Sequence, residues 1–439
     1  MRIESALSWR PHWRLQSAAF LVLALGITSL AALQSDPIDS IERTSSIPAT
    51  VCPKFEDQIR TTALLPSSRT KIKSASSRKP TFNRSRVNPY PINNTSIVVQ
   101  GSEVTSTVLR TRPGSFTAAT TCLIGDGDQW FVGARGALGS RSRILAINSG
   151  LSTSSLEITA YGENGVTGSR SLAIPAVSQR EIRVDALAPG AASTAIRVLT
   201  RSGRVSVFLI DEANRGLQSL GGDFIASQSP AKRIVIPAIP TSRAGRTITD
   251  HRITVVATGS RAAVIDVEVI SGGSRFTPVG LSEVTVEPGK VQLLRLPKQL
   301  GKRPAALIIT ATEEIAAAIS SSTASEFAFS TPATSVRSFD LNVGGLEPTI
   351  SLVAKAIRVD IEVTSRSGKV KRDQVTGSEI VNWKVPPNSR RVSISGAEPI
   401  HMGMTWSTTD GFTSLPLNPG TELERSSTPV FDIDALFDR

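Results

Sequence analysis

The sequence is poor in the residues that most often carry out catalysis. It has three histidines and two cysteines among 439 residues, and a histidine base acts only with a nucleophile and an orienting partner. We therefore expect His251 and His401 to be structural, whereas His12 lies in the N-terminal flank. The sequence also lacks a G-x-S-x-G elbow, an H-E-x-x-H pair and a glycine-lysine phosphate loop. These absences disfavour α/β-hydrolases, zinc proteases and P-loop nucleotide hydrolases.

The two cysteines, Cys52 and Cys122, have no nearby histidines and are too few for a structural zinc site, which needs four ligands. An even pair in an exported chain instead predicts one disulfide, with two free buried thiols as the alternative. A bond closing this loop of about 70 residues would stabilise the fold by about 4 kcal/mol in the chain-entropy description. The sequence thus offers no metal ligand, cofactor-binding residue or catalytic residue. We expect neither a cofactor nor enzymatic activity.

Charge is missing altogether from Leu15 to Ser35, a stretch of 21 residues, which is close to the ~20 residues that span a bilayer as a helix. Arginines precede this stretch, and Asp36 and Asp39 follow it. The positive-inside rule therefore puts residues 1–14 in the cytoplasm and the body outside the cell membrane. We predict a single transmembrane anchor over 15–35. A signal peptide cleaved near Ala31 is the alternative and would give a secreted protein.

Acidic residues are absent between Asp57 and Glu103, where basic side chains are concentrated. Seven cations fall within 18 successive positions: Arg69, Lys71, Lys73, Arg78, Lys79, Arg84 and Arg86. Such a run can contact anionic lipid, an acidic wall polymer or nucleic acid by charge alone, and outside the membrane we do not expect nucleic acid. The alternative is a solvated linker without a partner. Because Ser, Thr, Pro and Arg dominate and periodicity is weak, residues 36–95 are predicted to be a spacer.

Short apolar runs rich in β-branched residues, separated by Gly, Pro, Ser and Asn, predict β-strands from Ser96 onward. Four of these runs recur in the same order about 109 positions later. The paired runs are 143–147 with 252–256, 156–161 with 265–270, 181–184 with 290–293 and 205–210 with 315–320. The prediction is an all-β fold of tandem immunoglobulin-like sandwiches. Its modules are expected at 96–240, 241–345 and, more divergent, 346–420, with a tail over 421–439.

Two stretches of the sequence give specific tests of the all-β prediction. In the third unit, Val359, Ile361 and Val363 alternate with charged residues, so they are predicted to face a core. The stretch Thr312–Ser322, TEEIAAAISSS, has the composition of a helix but the place of a strand in the repeat. We predict a strand, because tertiary context overrides propensity in short segments.

The layout also resembles a known family. The features that carry the likeness are a short basic flank, one apolar segment, a first cysteine, Thr121-Cys122 before the aromatic-glycine run Trp130–Gly133, and a strand ending at Asn148. Together they are similar to the actinobacterial family known as domain of unknown function 5719, over about Cys52 to Trp406. The resemblance implies a membrane-anchored or secreted, β-rich envelope protein of a Gram-positive bacterium, and it supplies no catalytic residues. The basic spacer and the scarcity of aromatic residues depart from the family pattern.

The function expected from these features is non-enzymatic: an anchored extracytoplasmic scaffold that presents loops to a wall polymer or an envelope protein. Candidate loops are basic and contain glycine, namely Gly162–Arg170, Arg201–Arg204 and Ser271–Arg275. The alternative is an accessory protein or enzyme of envelope glycan metabolism, with two carboxylates about 5–10 Å apart that come from distant strands. A purely mechanical stalk would also account for the repeat.

Overall fold

The computed structural model describes residues 48–242 and 246–418. Within these ranges the regular structure is β, apart from two short 3₁₀ turns, Val184–Ala186 and Lys298–Lys302, so the all-β prediction is confirmed. No helix in this part of the chain is long and apolar enough to cross a membrane. The predicted membrane segment, residues 15–35, lies outside the described residues, as do the predicted cytoplasmic and C-terminal tails.

The N-terminal region, residues 48–123, contains nine short strands, eight of which form two small sheets. The strands are β1 (Thr50–Cys52), β2 (Arg60–Leu64), β3 (Lys71–Ser74), β4 (Asn83–Arg84), β5 (Tyr90–Pro91), β6 (Ile97–Val99), β7 (Val104–Thr105), β8 (Thr107–Arg112) and β9 (Phe116–Thr121). One sheet has the order β1-β6-β3-β4 and the other β5-β2-β8-β9. Their shared core includes Cys52, Ile72, Val99 and Val108.

Residues 48–95 therefore do not form the predicted spacer, because they contribute β1 to β5 and bury side chains in this core. These strands are not predicted from the sequence pattern because they are only two to five residues long. Alternation survives in β3, where Ile72 is buried between Lys71 and Lys73. The predicted disulfide is confirmed. It joins Cys52 to Cys122, with Cα atoms 4.4 Å apart, and ties the start of the region to its end.

The first repeat contains eight strands between residues 128 and 225. They are β10 (Asp128–Ala134), β11 (Arg143–Asn148), β12 (Ser154–Gly162), β13 (Gly165–Ile174), β14 (Ser178–Arg183), β15 (Thr194–Ser202), β16 (Ser206–Arg215) and β17 (Gln218–Ile225). One sheet has the order β10-β15-β12-β13 and the other β14-β11-β16-β17. Both sheets contribute to one apolar core, which includes Phe131, Ile144, Ile158 and Leu209.

The second repeat forms one sheet of eight strands between residues 231 and 330. They are β18 (Ala231–Ile239), β19 (Asp250–Ala257), β20 (Ala263–Ser271), β21 (Ser274–Phe276), β22 (Val284–Val286), β23 (Val291–Arg295), β24 (Ala305–Ser322) and β25 (Phe327–Ser330). Because β24 continues to Ser322, the strand predicted over Thr312–Ser322 is confirmed. The first half of β24 pairs with β20 and the second half with β19.

The two repeats share one order of pairing. β11 lies between β14 and β16, and β19 lies between β23 and the second half of β24. In the same way, β12 pairs with β15, and β20 pairs with the first half of β24. In the first repeat, β15 and β16 are separated by a turn at Gly203, which has a φ of 76°. Their counterparts in the second repeat are the two halves of the continuous strand β24. The sequence repeat is thus a repeat of strand pairing.

The C-terminal region contributes five strands to one six-stranded sheet, and the N-terminal β7 is the sixth strand, parallel to its neighbour. Its own strands are β26 (Ser335–Asn342), β27 (Thr349–Ser365), β28 (Val370–Lys384), β29 (Ser389–Ser407) and β30 (Phe412–Pro416). Val359, Ile361 and Val363 are buried, as predicted from their alternation. The longest strand of this region is the 19-residue β29, which pairs with β26, β27 and β30.

Smaller apolar clusters join successive regions. Phe55 of the N-terminal region packs with Phe208 of the first repeat, and Trp130 of the first repeat packs with Val256 of the second. Val353 of the C-terminal region shares a cluster with residues of the second repeat. These contacts hold neighbouring regions in fixed positions.

Candidate anion-binding surface

The seven basic residues predicted as charge contacts belong to a folded surface. Lys71 and Lys73 lie on β3, and Arg84 lies on β4. The other four lie in the connecting segments: Arg69, Arg78, Lys79 and Arg86. Six of the seven are exposed, and the half-buried Lys73 has its Nζ 5.3 Å from the centre of a phenylalanine ring. We call these seven residues the basic surface.

The basic surface has no internal counter-charge among the described residues, since none of the seven forms an ion pair within residues 48–242 and 246–418. Moreover, Lys71 on β3 lies directly opposite Arg84 on β4. Like charges in directly opposed positions destabilise a sheet. An anion bound at this edge would remove that repulsion.

The sheet that carries these cations is held firmly in the fold. β3 pairs with β6, and β6 pairs with β1 next to the disulfide. The Ser96 hydroxyl accepts a hydrogen bond from the backbone N of Lys54 at 3.0 Å and donates to Oε1 of Gln179 in the first repeat at 2.8 Å. The strands of the basic surface are therefore fixed by the fold and are not part of a flexible linker.

Two arginines between the N-terminal region and the first repeat are instead paired with carboxylates of the chain itself. The fully buried Arg110 on β8 donates from Nη1 to Oδ1 of Asp57 at 2.9 Å and from Nη2 to Oε1 of Glu212 at 2.7 Å. Arg143 on β11 donates to Asp57 at 2.9 Å. Both guanidinium groups lie within 5.4 Å of the centre of the Phe55 ring. We call this set the buried ion network, and it joins the N-terminal region to the first repeat.

The buried ion network is charged and its carboxylates are paired, although the buried Nε of Arg110 has no hydrogen-bond partner among the described residues. Burial by itself would raise the pKa of the Asp57 carboxyl, but Arg110 and Arg143 outweigh burial and lower that pKa to about 2. Burial would lower the pKa of Arg143, whereas Glu212 and Asp57 raise it above its usual value. Sequence reasoning misses this network because Arg110 and Glu212 are 102 residues apart and no local pattern links them.

In the candidate loops of the two repeats, Arg201 and Arg275 are paired within the chain, whereas the exposed Arg170 and Arg204 form no ion pair within the described residues. Gly162–Arg170 lies in the β12–β13 hairpin. Arg201 donates to Glu157 at 2.7 Å, and Arg275 donates to Glu379 at 2.6 Å. Arg201 and Arg275 are therefore less available to an outside anion than the basic surface.

Two buried carboxyl groups contact strands of three regions. Asp223 on β17 accepts hydrogen bonds from the backbone N of Phe329 on β25 at 2.9 Å and from Oγ1 of Thr413 on β30 at 2.8 Å. Glu326, just before β25, has Arg246 3.5 Å away. Burial raises the pKa of Asp223 well above its usual range and raises the pKa of Glu326 to about 7. We call these two residues the acid junction; their partners belong to the chain and hold the regions together.

A polar groove of about 630 Å³ lies on the outer face of the C-terminal sheet. Asp360 and Glu362 alternate along β27, so both point to this face from backbone positions about 7 Å apart. Gln374 donates to Asp360 at 3.0 Å, and Arg372 donates to Glu362 at 3.0 Å. The groove thus brings two carboxylates together, each already held by a neighbour.

The two described histidines make structural contacts. Nδ1 of His251 lies 2.8 Å from the Ser321 hydroxyl oxygen, and burial lowers the pKa of His251 to about 4. Nδ1 of His401 lies 2.7 Å from the carbonyl oxygen of Ala333. Across the described ranges, no three His, Cys, Asp or Glu side chains are grouped so that they could hold a metal ion.

One protein family matches the end of the N-terminal region, the two repeats and part of the C-terminal sheet. A family model described as a family of unknown function (DUF5719) matches residues 99–377, more than half of the chain. The chain belongs to this family. The DUF5719 match begins at the end of β6 and ends within β28, so it is narrower than the likeness expected from Cys52 to Trp406. The basic surface lies outside the matched residues.

No curated protein matches this DUF5719 chain. Among solved structures, it is similar to the crystal structure of Streptomyces avermitilis alpha-L-rhamnosidase complexed with L-rhamnose, at 9% sequence identity and a TM-score of 0.15. The match covers 79% of this chain and 54% of that one, so the chain spans about half the length of the rhamnosidase. A likeness of this size carries no argument about activity.

Proposed function

We propose that this protein is a non-enzymatic, extracytoplasmic envelope protein that binds an acidic cell-wall polymer through its basic surface. In this proposal its strands form tandem immunoglobulin-like sandwiches, which act as the scaffold. The segment over residues 15–35 holds the protein in the cell membrane with its N-terminus inside and its body outside. If that segment is cleaved, the same body is secreted.

The observation that carries the proposal is the fixed, uncompensated charge of the basic surface. Seven cations without an ion-pair partner among the described residues lie on and beside one small sheet, and Lys71 and Arg84 are directly opposed. A polyanion can neutralise several of these charges at once. Binding of this kind is driven by charge and weakens as salt is added.

Retention of the purified protein on anionic wall polymer at low salt tests the proposal. The K71E/R84E variant should lose most of its retention. The matched control is K290E/K302E, which changes net charge by the same amount at two exposed lysines of the second repeat. Loss of retention in both variants, or no retention of the wild type, would rule out the basic surface as the binding site. Capture of an envelope protein in place of polymer would point to the other expected partner.

A second candidate, an accessory protein or enzyme of envelope glycan metabolism, is favoured by the groove on the C-terminal sheet. Asp360 and Glu362 lie on one strand and not on the distant strands expected from the sequence, and their backbone positions are about 7 Å apart, comparable with the about 5–10 Å between the two carboxyl groups of glycoside hydrolases. Arg372 would have to leave Glu362 before that carboxylate could act.

Hydrolysis of purified wall glycan tests this second candidate. D360N and E362Q should each abolish product formation, whereas K371Q, an exposed neighbour on β28, should retain it. Absence of product with the wild type would remove the candidate.

A further inference from the structure

A small pocket lies between the N-terminal region and the C-terminal sheet. Its volume is about 310 Å³, at the lower end of the range for small-ligand sites. Its walls are formed by Ser68, Asn88, Pro89, Asn342, Gly344, Arg366 and Arg390. The lining therefore holds two guanidinium groups, two amides and one hydroxyl, and it contains no carboxylate.

Hydrogen bonds to one buried residue, Leu65, fix both amides. Nδ2 of Asn88 donates to the carbonyl oxygen of Leu65 at 2.7 Å, and the backbone N of Leu65 donates to Oδ1 of Asn88 at 3.1 Å. Nδ2 of Asn342 donates to the same carbonyl oxygen. Oδ1 of Asn342 accepts a hydrogen bond from the backbone N of Gly344 at 2.8 Å. Two regions of the chain are thus joined at the base of the pocket.

The position of Arg366 is set by the turn between β26 and β27. Its Nη2 donates to the carbonyl oxygen of Gly344 at 2.9 Å, which leaves other guanidinium N–H groups free. Gly345 has a φ of +86°, and a Cβ at this position would overlap the guanidinium group of Arg366. A side chain at residue 345 would therefore displace the arginine.

Neither arginine of the pocket has a carboxylate partner in the described part of the chain. Arg366 is exposed and Arg390, at the start of β29, is half-buried, and neither takes part in an ion pair there. Two forked cations around a space without negative charge form a donor set for an oxyanion. A planar carboxylate offers two oxygens, whereas a phosphate group has enough oxygens to contact both arginines and the Ser68 hydroxyl.

We propose that this pocket binds a phosphate group, carried as an ester of a sugar or polyol. The pocket adjoins the basic surface, because Arg69 follows Ser68 directly and Arg86 lies two residues before Asn88. A phosphate-rich polymer lying along the basic surface would present one of its phosphates to the pocket. The inference that the phosphate group belongs to a polymer rests on the proposed function. The inference that the pocket binds phosphate does not.

Titration calorimetry of the full chain with inorganic phosphate, at constant ionic strength, tests the site. The wild type should bind, and R366Q/R390Q should weaken binding by about tenfold or more for each arginine, since hydrogen bonds to charged groups are lost. R366K/R390K keeps the two positive charges but lacks the planar guanidinium groups, so its phosphate affinity should lie between those of the wild type and R366Q/R390Q. The matched control is R337Q/R358Q, which removes two exposed arginines of the C-terminal sheet that line neither the pocket nor the groove. It should bind phosphate like the wild type.

Equal phosphate affinity in the wild type and in R366Q/R390Q would overturn the site, as would an equal loss in R337Q/R358Q. Melting temperatures measured without phosphate show whether the variants are folded, and R366K/R390K carries the test if the glutamine variant is not. Phosphate binding without polymer retention would contradict the proposed function and leave the pocket standing. Glycerol 3-phosphate and phosphatidylglycerol vesicles separate the two sources of a phosphate ester: a response to the vesicles alone would overturn the polymer assignment.

Discussion

Arginines occur in two settings in this molecule, and the difference separates stability from binding. In the buried ion network, Arg110 and Arg143 share the carboxylate of Asp57. On the basic surface and in the phosphate pocket, the arginines have no carboxylate partner within the described residues. A buried charge must be paired to be tolerated, whereas an exposed cation without a partner costs little. The first set is therefore expected to control folding, and the second to control ligand affinity.

The largest effect is expected from breaking the buried ion network. R110M removes the main partner of the half-buried Asp57 and the buried Glu212, so the free energy of unfolding should fall by about 3–5 kcal/mol. Urea unfolding measures this change. R366Q, the corresponding loss of a cation in the phosphate pocket, should stay within about 0.5 kcal/mol of the wild type. Similar losses of unfolding free energy in R110M and R366Q would contradict the distinction between paired, buried arginines and unpaired, exposed ones.

A smaller effect on the free energy of unfolding is expected from the acid junction, where the burial of Glu326 is not offset by its partners. The folded-state pKa of Glu326 is raised to about 7 from a usual value of 4.5, so the native state binds more protons between these values. Its contribution is fully present below pH 4.5 and is lost as pH rises through 7, by about 3 kcal/mol. E326Q should remove this dependence.

Chemical unfolding of the wild type and E326Q between pH 4 and 8 measures the Glu326 contribution. The comparison has to be made as a difference, because the lowered pKa of His251 has the opposite sign: its contribution is present above pH 6.5 and is lost toward pH 4. A wild-type minus E326Q difference that does not change with pH would contradict the assignment.

The smallest effect is a gain of stability on the basic surface. R84E places opposite charges at the pair that Lys71 forms across β3 and β4, and it should raise the free energy of unfolding by about 0.2–1 kcal/mol. R84Q, which removes the repulsion without adding an attraction, should give a smaller gain. Thermal unfolding at low salt measures both. Destabilisation by R84E would show that repulsion between Lys71 and Arg84 does not lower the stability of the fold.

The sequence predicts this fold best where a strand is long and alternates regularly. Val359, Ile361 and Val363 on β27 follow the two-residue period, so their burial is readable without a structure. For Thr312–Ser322 the internal repeat supplied the tertiary context that composition lacks. The same reasoning failed for residues 48–95, since strands of two to five residues are too short to display a period.

The sites are harder to read than the strands, because their partners are distant along the chain. The basic surface is visible as a run of cations, but its like-charge strand pair is not. The phosphate pocket joins Ser68 to Arg390 across most of the chain, and each of these residues is unremarkable in its local sequence. Only the pairing of strands brings them together, and strand pairing is what a single sequence specifies least directly.

The central claim is that the unpaired cations of the basic surface bind an acidic polymer, and the salt dependence of retention tests it most directly. Wild-type protein and K290E/K302E should both be retained on anionic wall polymer at low ionic strength and released as salt is raised. K71E/R84E should already be released at low salt while it unfolds close to the wild-type temperature, because the two substitutions replace one like-charge pair by another. Retention of folded K71E/R84E at the same salt concentration as the wild type would contradict the account.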